Sequence, residues 1–186
     1  IDFAERIEYE QNTHNSPRKN EVCVFVKRPR IKGESLLQEA CVQKLVHDSL
    51  SRAGFPNGAP NILDIVKFRD NSVGFTMEMI HNSQTLHMTI EQMNEENATR
   101  LIIDCICQLS AMICHLEKDV NLNHRDLKPS NLLIVQRDRP VKKKIIVDDI
   151  ILEIDSLYDI SFIDFGFSCI GDSKTFESKM SMGHVY

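Results

Sequence analysis

The feature that most constrains this chain is a short polar segment between two apolar ones. Residues 122–131 read Leu-Asn-His-Arg-Asp-Leu-Lys-Pro-Ser-Asn, after an apolar stripe at helical spacing and before the apolar run Leu132–Val135. The segment holds a carboxylate (Asp126), an ammonium group (Lys128) and an amide (Asn131). A proton acceptor, a positive point charge and a neutral oxygen ligand in such proximity are typical of an active-site loop. We therefore predict a loop that joins a helix to a strand and carries the chemistry of the chain.

A second motif lies further along the chain. Asp164-Phe165-Gly166 follows the alternating apolar run 160–163, which predicts a short strand. Alone, a tripeptide of this kind has little specificity. The order of the two motifs, rather than either motif by itself, gives the pattern its weight.

Together the two motifs resemble the catalytic loop and the metal-binding triplet of eukaryotic-type protein kinases. In that family, catalysis depends on positioning and on neutralising phosphate charge. The resemblance implies that Asp126 accepts or orients the proton of the attacking hydroxyl and that Lys128 places a positive charge beside the transferring phosphoryl group. It also implies that Asn131 and Asp164 hold Mg²⁺. A lysine two residues after the aspartate resembles the serine/threonine branch of the family.

The same resemblance implies a fold and an activity. The fold class is α+β, a two-lobed kinase-like fold that is incomplete, with a small β-rich lobe over residues 1–80 and the first part of the helical lobe over residues 81–186. The implied activity is transfer of the γ-phosphoryl group of ATP to Ser/Thr hydroxyls of a protein substrate, with ATP and Mg²⁺ as cofactors. The phrases at 39–43 and 164–169 further resemble kinases encoded by giant DNA viruses.

The residues before the loop predict a sheet and two helices. Residues 3–9 and 22–27 read as a hairpin, and 62–68 and 73–79 as strands around a turn. Residues 34–51 predict an amphipathic helix that buries Leu37, Ala40, Cys41 and Leu45.

A longer helix is predicted over residues 97–118, with Asn97 as its N-cap. Its apolar stripe at helical spacing predicts a core helix that leads directly into the loop at 122–131. The stripe comprises Ile102, Cys105, Ile106, Leu109, Met112, Ile113 and Leu116.

Lys27 ends the second predicted strand and resembles the kinase lysine that contacts the α- and β-phosphates. Two carboxylates of the following helix compete to pair with it. Glu39 lies in the middle of the predicted helix and is preferred. Glu34 lies at the helix start, where an acidic residue ordinarily compensates the helix dipole.

The stretch 74–80 resembles the kinase hinge, although an edge strand that enters a loop is the alternative interpretation. The hinge interpretation implies that Met77 guards the nucleotide pocket. Backbone groups of Glu78 and Ile80 would then bind the adenine edge, and Leu133 is assigned to the same nucleotide site.

Thirty-two residues separate Asn131 from Asp164, more than the short hairpin usual in the family. The excess includes the basic run 136–144 and an apolar-acidic alternation through Asp159. For the basic run a solvated loop is favoured over a docking patch. No role is assigned to it.

Residues 167–186 resemble the activation segment of kinases. Arg125 resembles the arginine that, in that family, clamps a phosphorylated residue of the segment. Regulation by phosphorylation and a merely polar loop are equally good interpretations of the four hydroxyls there, Ser173, Thr175, Ser178 and Ser181.

Three features depart from the family pattern. No glycine precedes Lys27, so the loop that covers the phosphates is missing, although residues 1–4 fit the Val-x-x-Ala that follows its last glycine. Phe25 stands where the family keeps a small alanine over the adenine ring. Residues 183–186 resemble a degenerate start of the substrate-binding loop. We therefore expect a partial kinase domain that is inactive by itself.

Two other functions stay open. Phe25 and the missing glycine-rich loop favour a pseudokinase or a nucleotide-binding regulatory module. A small-molecule phosphotransferase of related fold is the third candidate, and Lys128 and the Asp-Phe-Gly triplet argue against it.

Composition bounds the partners. The 186 residues are 42% hydrophobic, enough for a core, and the net charge of −5 gives no reason to expect nucleic acid or an anionic membrane as a partner. The N-terminal residues lack the pattern of a signal peptide, and no apolar run reads as membrane-spanning. We expect an intracellular protein, in the cytoplasm or nucleus or in the host cell of a virus, of open oligomeric state. Six cysteines without a Cys-x-x-Cys pair predict buried, reduced thiols.

Overall fold

The computed structural model of the protein describes residues 7–8, 23–147 and 150–171. Its helices are α1 (Leu37–Arg52), α2 (Leu86–Glu91) and α3 (Glu95–Val120), with a 3₁₀ turn over Pro129–Asn131. Its strands are β1 (Ile7–Glu8), β2 (Cys23–Lys27), β3 (Ile62–Lys67), β4 (Val73–Glu78), β5 (Ser83–Thr85), β6 (Leu122–Asn123), β7 (Leu132–Val147), β8 (Ile150–Phe162) and β9 (Cys169–Ile170).

The first four strands form an antiparallel sheet in the order β1-β2-β4-β3. The β1–β2 pair confirms the predicted hairpin within the described residues, and most of the first predicted strand lies outside them. Lys27 pairs with Phe75 in the register of β2 against β4. Gly74 permits this close approach, because a Cβ there would lie 2.2 Å from the carbonyl oxygen of Lys27. The position of Lys27 is thus fixed by backbone packing.

Helix α1 is confirmed, but the predicted buried face is wrong. The helix begins at Leu37 rather than at 34, because Ser35 pairs with Val73 and holds the preceding residues in an extended conformation. Leu37 is 48% exposed and Leu45 is 37% exposed, and Cys41 also faces outward. The helix packs against both the sheet and α3, so its buried side includes polar as well as apolar residues and hydrophobicity alone does not reveal it. The buried positions are Glu39, Ala40, Val42, Gln43, Val46, Ser49 and Leu50.

Helix α3 begins earlier than predicted and is capped by a different residue. Asn94, not Asn97, is the N-cap, and its side-chain oxygen accepts a hydrogen bond from the Asn97 backbone N–H at 2.9 Å. Leu116, Met112 and Cys105 of the predicted stripe are buried in the main core. Three other members are exposed, because the side of α3 that meets α1, β7 and β8 is rotated toward residues 101 and 108. The exposed members are Ile102, Ile106 and Ile113.

By length and composition alone, α3 could also cross a membrane, which corrects the expectation that no segment of the chain could do so. One third of its most apolar window is buried inside the structure. A core helix passes the same test, and the contacts of α3 with α1, β7 and β8 account for part of its apolarity.

The described thiols do not share one environment. Cys105 is buried in the main core, where burial raises the pKa of its thiol to about 12 and keeps it protonated. Cys41 is exposed on α1, so the prediction that the thiols are buried is wrong for this residue. Free thiols are found at Cys41, Cys105, Cys107, Cys114 and Cys169, with no disulfide among them.

A polar joint connects the C-terminal half of α1 to α3. The Ser49 hydroxyl donates to Asp119 Oδ2 at 2.6 Å, and His115 Nε2 lies 3.0 Å from the same hydroxyl. Arg52 adds an ion pair to Asp119 at 2.9 Å. His115 is thus a packing residue. The joint fixes one end of α1, whose other end carries Glu39.

The residues between Asn131 and Asp164 form a long antiparallel hairpin, β7–β8, which corrects the expectation of a solvated loop. The register shifts between Gln136 and Val141, so residues 137–140 bulge from β7. β5 pairs with the first part of β7 to complete a three-stranded sheet. The basic run lies along this bulge and the strand beyond it. The apolar-basic sequence of β7 lies opposite the apolar-acidic sequence of β8. Composition alone does not distinguish these residues from a loop, and their pairing makes them strands.

Buried polar groups hold the hairpin against α3. Gln108 donates to the Tyr158 carbonyl oxygen at 3.2 Å, and its own side-chain oxygen accepts from Lys143 Nζ at 2.6 Å. Lys143 also meets Asp159 at 3.0 Å, and Arg137 meets the other oxygen of Asp159 at 2.5 Å. Lys143 and Asp159 are each only 14% exposed. This ionic network replaces the apolar packing that the basic run cannot provide.

The first prediction concerns Asp159. Burial raises the pKa of this carboxyl, but Arg137 and Lys143 more than offset that effect, so its pKa lies below the ordinary value. We expect Asp159→Asn to lower the free energy of unfolding by about 1–3 kcal/mol at pH 7, because it leaves the mostly buried Lys143 and the partly exposed Arg137 without their anion. A depressed folded-state pKa contributes stability that is present above about pH 3.9 and lost as the pH falls through the folded-state value. The difference between parent and variant should therefore shrink in acid.

Urea unfolding at pH 7 and at pH 3 measures this difference. Asp155→Asn on the exposed side of β8 is the matched control and should change stability little. Equal stability of the Asp159→Asn variant and the parent at pH 7 would refute the ionic network.

Candidate active site

Three charged side chains from distant parts of the chain meet at one point. Lys27 Nζ lies 2.5 Å from Glu39 Oε1 and 2.8 Å from Asp164 Oδ1. Lys27 comes from the end of β2, Glu39 from the first turn of α1, and Asp164 from the segment after β8. Glu39 is 6% exposed, whereas Asp164 is 44% exposed. The cluster thus has a buried side and an open side.

Of the two carboxylates that competed for Lys27, the structure brings Glu39 to it. Glu39 lies in the first helical turn rather than in the middle of the helix, and Glu34 precedes the helix altogether. Ala40, beside Glu39, packs on Phe75 and Met77 and holds this turn against the sheet. The preference for Glu39 agrees with the geometry, but the stated reason, its place in the helix, was wrong.

The charges of the cluster support one another. Burial lowers the pKa of Lys27, but Glu39 and Asp164 more than offset it, so the net pKa is raised and the ammonium form is favoured. Burial likewise raises the pKa of Asp164, and the hydrogen bond from Lys27 reverses the effect and leaves it lowered. Both groups are therefore charged at neutral pH. The open side of Asp164 is an anionic oxygen surface available to a cation.

The Asp164-Phe165-Gly166 triplet is anchored by its middle residue. Phe165 is 1% exposed and belongs to the core cluster that contains Val42 and Val46 of α1. The left-handed residue of the triplet is Asp164, with φ of 64°, while Gly166 does not adopt a positive φ. A buried ring on one side and a paired carboxylate on the other over-determine this strained conformation.

The loop at 122–131 brings its three predicted residues together. Asp126 Oδ2 accepts hydrogen bonds from Lys128 Nζ at 2.7 Å and from Asn131 Nδ2 at 2.9 Å. Asn131 also donates to the Asp126 carbonyl oxygen at 2.9 Å. The Ile163 backbone N–H donates to the Asn131 carbonyl oxygen at 3.0 Å, which ties this loop to the residue before Asp164. One backbone hydrogen bond thus connects the two motifs.

His124, within the loop at 122–131, packs its ring against two phenylalanines. Its ring lies 5.1 Å from that of Phe165 and 5.8 Å from that of Phe162, centroid to centroid. Burial lowers the pKa of His124, so the ring is neutral at pH 7. The Ser168 hydroxyl donates to the His124 carbonyl oxygen at 3.1 Å. The predicted partner residues of Arg125, at 173, 175, 178 and 181, lie outside the described residues.

The hinge residues lie at the end of β4. Met77 is buried, and the Glu78 backbone N–H donates to the Asn61 carbonyl oxygen at 2.9 Å. This bond occupies the Glu78 N–H, one of the backbone groups predicted to bind an adenine edge. The Ile80 carbonyl oxygen accepts from the Ser83 hydroxyl at 2.7 Å. Leu133 lies on β7 opposite Thr85, half-buried.

Phe25 lies beside this hinge. It pairs with Met77 in the sheet and packs against the small cluster of Ala40, Phe75 and Met77 while staying half-buried. The ring therefore contributes to the packing of α1 on the sheet. Its effect on a nucleotide stays a prediction.

Gln43 is a residue of this site that the sequence analysis missed. Its side chain is 1% exposed, and Nε2 donates to the Pro60 carbonyl oxygen at 3.0 Å and to Met77 Sδ at 3.1 Å. Gln43 lies one turn after Glu39 on the same face of α1. The sequence carried no usable signal for it, because Gln43 lies outside the predicted buried face and the partners that a buried amide requires are known only from the structure.

The oxygen ligands around Asp164 fit a hard cation. Asn131 donates both hydrogen bonds through its amide nitrogen, so its amide oxygen is available beside the loop. Within the described residues no group of three or more His, Cys, Asp or Glu side chains could hold a metal ion. Mg²⁺ usually takes only one or two protein ligands together with phosphate oxygens, and the pair Asn131 and Asp164 is compatible with that habit.

Comparison with known proteins gives a result for the fold. No protein-family model matches the sequence, and no curated protein matches it. Among solved structures, the chain is similar to the crystal structure of a Plasmodium kinase domain, with 18% sequence identity and a TM-score of 0.50. The alignment covers 82% of this chain and 46% of that one. The chain has a kinase-like fold.

The kinase-like fold confirms the predicted fold class at this coarse level, with mixed helices and small sheets. The chain spans less than half the length of the kinase domain that it matches. The division into lobes near residue 80 stays a prediction, and nothing supports the likeness to viral kinases. A cavity of about 700 Å³ lies between α3 and residues 121–127, and not at the Lys27 cluster.

The second prediction concerns Gln43. We expect Gln43→Leu to lower the free energy of unfolding by about 1–3 kcal/mol, because the Pro60 carbonyl loses its donor inside the core. The same change should increase hydrogen exchange in the first turns of α1, since the helix loses its link to the Met77 side chain. Gln38→Leu, at an exposed position of α1, is the matched control. Unchanged exchange and unchanged stability in the Gln43 variant would show that the link carries no weight.

Proposed function

We propose that this chain forms part of a protein kinase that transfers the γ-phosphoryl group of ATP to Ser/Thr hydroxyls of proteins. The observation that carries the proposal is the convergence of Lys27, Glu39 and Asp164, joined by the Ile163–Asn131 hydrogen bond to the loop that holds Asp126. A cation for phosphates, an anion for a metal and a carboxylate acceptor are the parts that phosphoryl transfer requires. The kinase-like fold supports this reading.

Asp126 is the proposed acceptor or orienting group for the hydroxyl proton. Lys128 and Asn131 both donate to the same carboxylate oxygen, Oδ2, and so hold the side chain in one rotamer. The other oxygen, Oδ1, accepts from neither of them and is the one that would face a substrate hydroxyl. Lys128, half exposed, lies where it could also approach a phosphoryl oxygen. Positioning of this kind is the main source of rate enhancement in such reactions.

Lys27 is the proposed ligand of the nucleotide phosphates, held in place by Glu39. Asp164 and the amide oxygen of Asn131 are the proposed protein ligands of Mg²⁺, which when bound would neutralise phosphate charge. Met77, the Glu78 carbonyl, Ile80 and Leu133 are proposed to line the adenine site. The lysine two residues after Asp126 supports the proposed Ser/Thr specificity. A protein substrate and an intracellular location are proposed together with it.

Phe25 favours one alternative, a pseudokinase or nucleotide-binding regulatory module. Its half-buried ring beside Met77 occupies the region proposed for adenine. A thermal-shift measurement with Mg²⁺·ATP separates the two, because a ligand that binds the folded state raises the melting temperature. Binding without turnover in the complete protein would favour the module, and binding with turnover would favour the kinase.

The third prediction tests the catalytic role of Asp126. In the complete protein, Asp126→Asn should lower kcat by about 100-fold or more while sparing the Kd of ATP, because a positioned proton acceptor typically contributes 10²–10⁴. Phosphorylation of a generic Ser/Thr substrate measures kcat. Asp138→Asn, exposed on the bulge of β7, is the control with the same charge change. A kcat equal to that of the parent would remove Asp126 from the mechanism.

The fourth prediction separates binding from chemistry. Lys27→Met and Asp164→Asn should each weaken Mg²⁺·ATP binding as well as turnover, since both groups are proposed to engage the nucleotide or its metal before the reaction. Calorimetric titration of each variant gives the Kd, and circular dichroism checks the fold, because Lys27→Met leaves the buried Glu39 unpaired. If folded variants bind as the parent does, these two roles are wrong.

A further inference from the structure

The long hairpin has an open backbone edge on β8. In the sheet order β5-β7-β8 this strand is the last, so one side of its backbone faces away from β7. The loop 54–58 covers only the end of that side, where the Phe162 N–H donates to the Gly58 carbonyl oxygen at 2.8 Å. From residues 150–156, no backbone hydrogen bond leads to a described element other than β7. This segment, which we call the open edge, is therefore available to a further strand.

The open edge belongs to a strand that the rest of the fold holds in place. β8 pairs with β7 from Ser156 opposite Val141 to Ile150 opposite Val147. Ser156 is buried, and its hydroxyl donates to Asp104 Oδ2 of α3 at 2.6 Å. A partner strand would therefore meet a strand that is already formed. Such preorganisation reduces the entropic cost of binding.

One face of the hairpin carries two rows of opposite charge. Glu153 and Asp155 are exposed on β8, and they lie opposite Lys144 and Lys142 of β7. Ile151, which is 55% exposed, continues the β8 row. Neither carboxylate forms an ion pair with a residue that the structure describes. The carboxylates lie next to the open edge and the lysines lie one strand further away, so an added strand would meet the carboxylates first.

The charges at the open edge disfavour pairing with a second copy of the chain. Two β8 strands paired antiparallel about a twofold axis at residue 153, 154 or 155 would place acidic side chains directly opposite each other, which is destabilising. The free edge of β7 carries lysines, but it begins at the bulge that contains Pro140, whose nitrogen has no hydrogen to donate. The edge is thus better suited to a strand from a different protein.

We propose that the open edge of β8 binds an extended basic segment of another protein as an added antiparallel strand. Backbone hydrogen bonds would provide affinity, and side chains at alternate positions would provide specificity. The register of β7 shows which sequence fits, because the residues opposite the three exposed β8 side chains are Lys142, Lys144 and Ile146. An incoming antiparallel strand would match them with the sequence Lys-x-Lys-x-Ile. The proposal does not depend on the proposed function, because none of these residues belongs to the Lys27 cluster or to the loop at 122–131.

The experiment is a titration of the ¹⁵N-labelled full chain with three short peptides at constant ionic strength, followed by amide chemical shifts and hydrogen exchange. The basic peptide has Lys-Thr-Lys-Thr-Ile at its centre, and the acidic peptide has Glu-Thr-Glu-Thr-Ile. The proline peptide has Lys-Pro-Lys-Pro-Ile, which keeps the positive charge but cannot form a regular strand. We expect the basic peptide alone to cause saturable shifts at residues 150–157 and slower exchange at alternate amides of the open edge.

A charge-neutral variant of β8 tests the side chains. Glu153→Gln/Asp155→Asn should weaken binding of the basic peptide about fivefold, the scale expected for two opposite-charge pairs across neighbouring strands. Glu34→Gln/Glu95→Gln removes the same charge at exposed positions elsewhere and is the matched control. All four side chains are on the surface, so both variants are expected to fold, and their amide spectra verify this directly.

Binding of the basic peptide that slows exchange along the open edge, that the β8 variant weakens and that the control keeps supports the proposal. Equal binding of the proline peptide overturns it, because charge alone then accounts for the contact. Absence of binding, equal binding of the acidic peptide, or shifts at residues 126–131 instead also overturn it. Shifts along the open edge that depend on the concentration of the chain without peptide would assign the edge to a second copy and overturn it as well.

Discussion

The ammonium group of Lys27, held between Glu39 and Asp164, is the interaction on which the candidate site depends. It joins a strand, a helix and the segment after β8, and the lysine and the aspartate are separated by 137 positions in the chain. Burying such charges is not itself a source of stability, because desolvation offsets most of the attraction. Its effect is specificity. Once Glu39 is buried, any arrangement that removes Lys27 leaves an unpaired buried carboxylate, so the three elements are held to one geometry.

The rest of the structure makes that geometry accessible. Gly74 lets β2 approach β4, which fixes the position of Lys27. The Ser49–Asp119 hydrogen bond fixes the far end of α1, and Phe165 in the core fixes the backbone that carries Asp164. None of these residues has a chemical role in the proposed reaction. Each of them restricts the position of a charged group that does have a proposed role. Such preorganisation lowers the activation barrier of a reaction.

Buried polar side chains recur as connectors between elements. Gln43 connects α1 to β4, Gln108 connects α3 to β8, and Asn131 fixes the side chain of Asp126 within the loop at 122–131. Amides are suited to this position because they donate and accept without the desolvation cost of a charge. Where charges are used instead, as at Lys143 and Asp159, they occur in opposed pairs. The hairpin is thus attached to the helices by directional contacts, and its basic sequence is compatible with a folded strand.

The sequence by itself determined the order of the first four strands and the two long helices, the two motifs and the proximity of Asp126, Lys128 and Asn131, because these depend on local spacing within a few residues. It also identified Lys27 and Glu39, although for a wrong reason in the case of Glu39. Tertiary structure decided the buried faces of α1 and α3. Both helices carry apolar residues around much of their circumference, and only their neighbours determine which side is covered. It also decided that residues 136–144 are a strand, since strand pairing is non-local, and that Asp164 rather than Gly166 is left-handed, since strain depends on how surrounding contacts over-determine a residue.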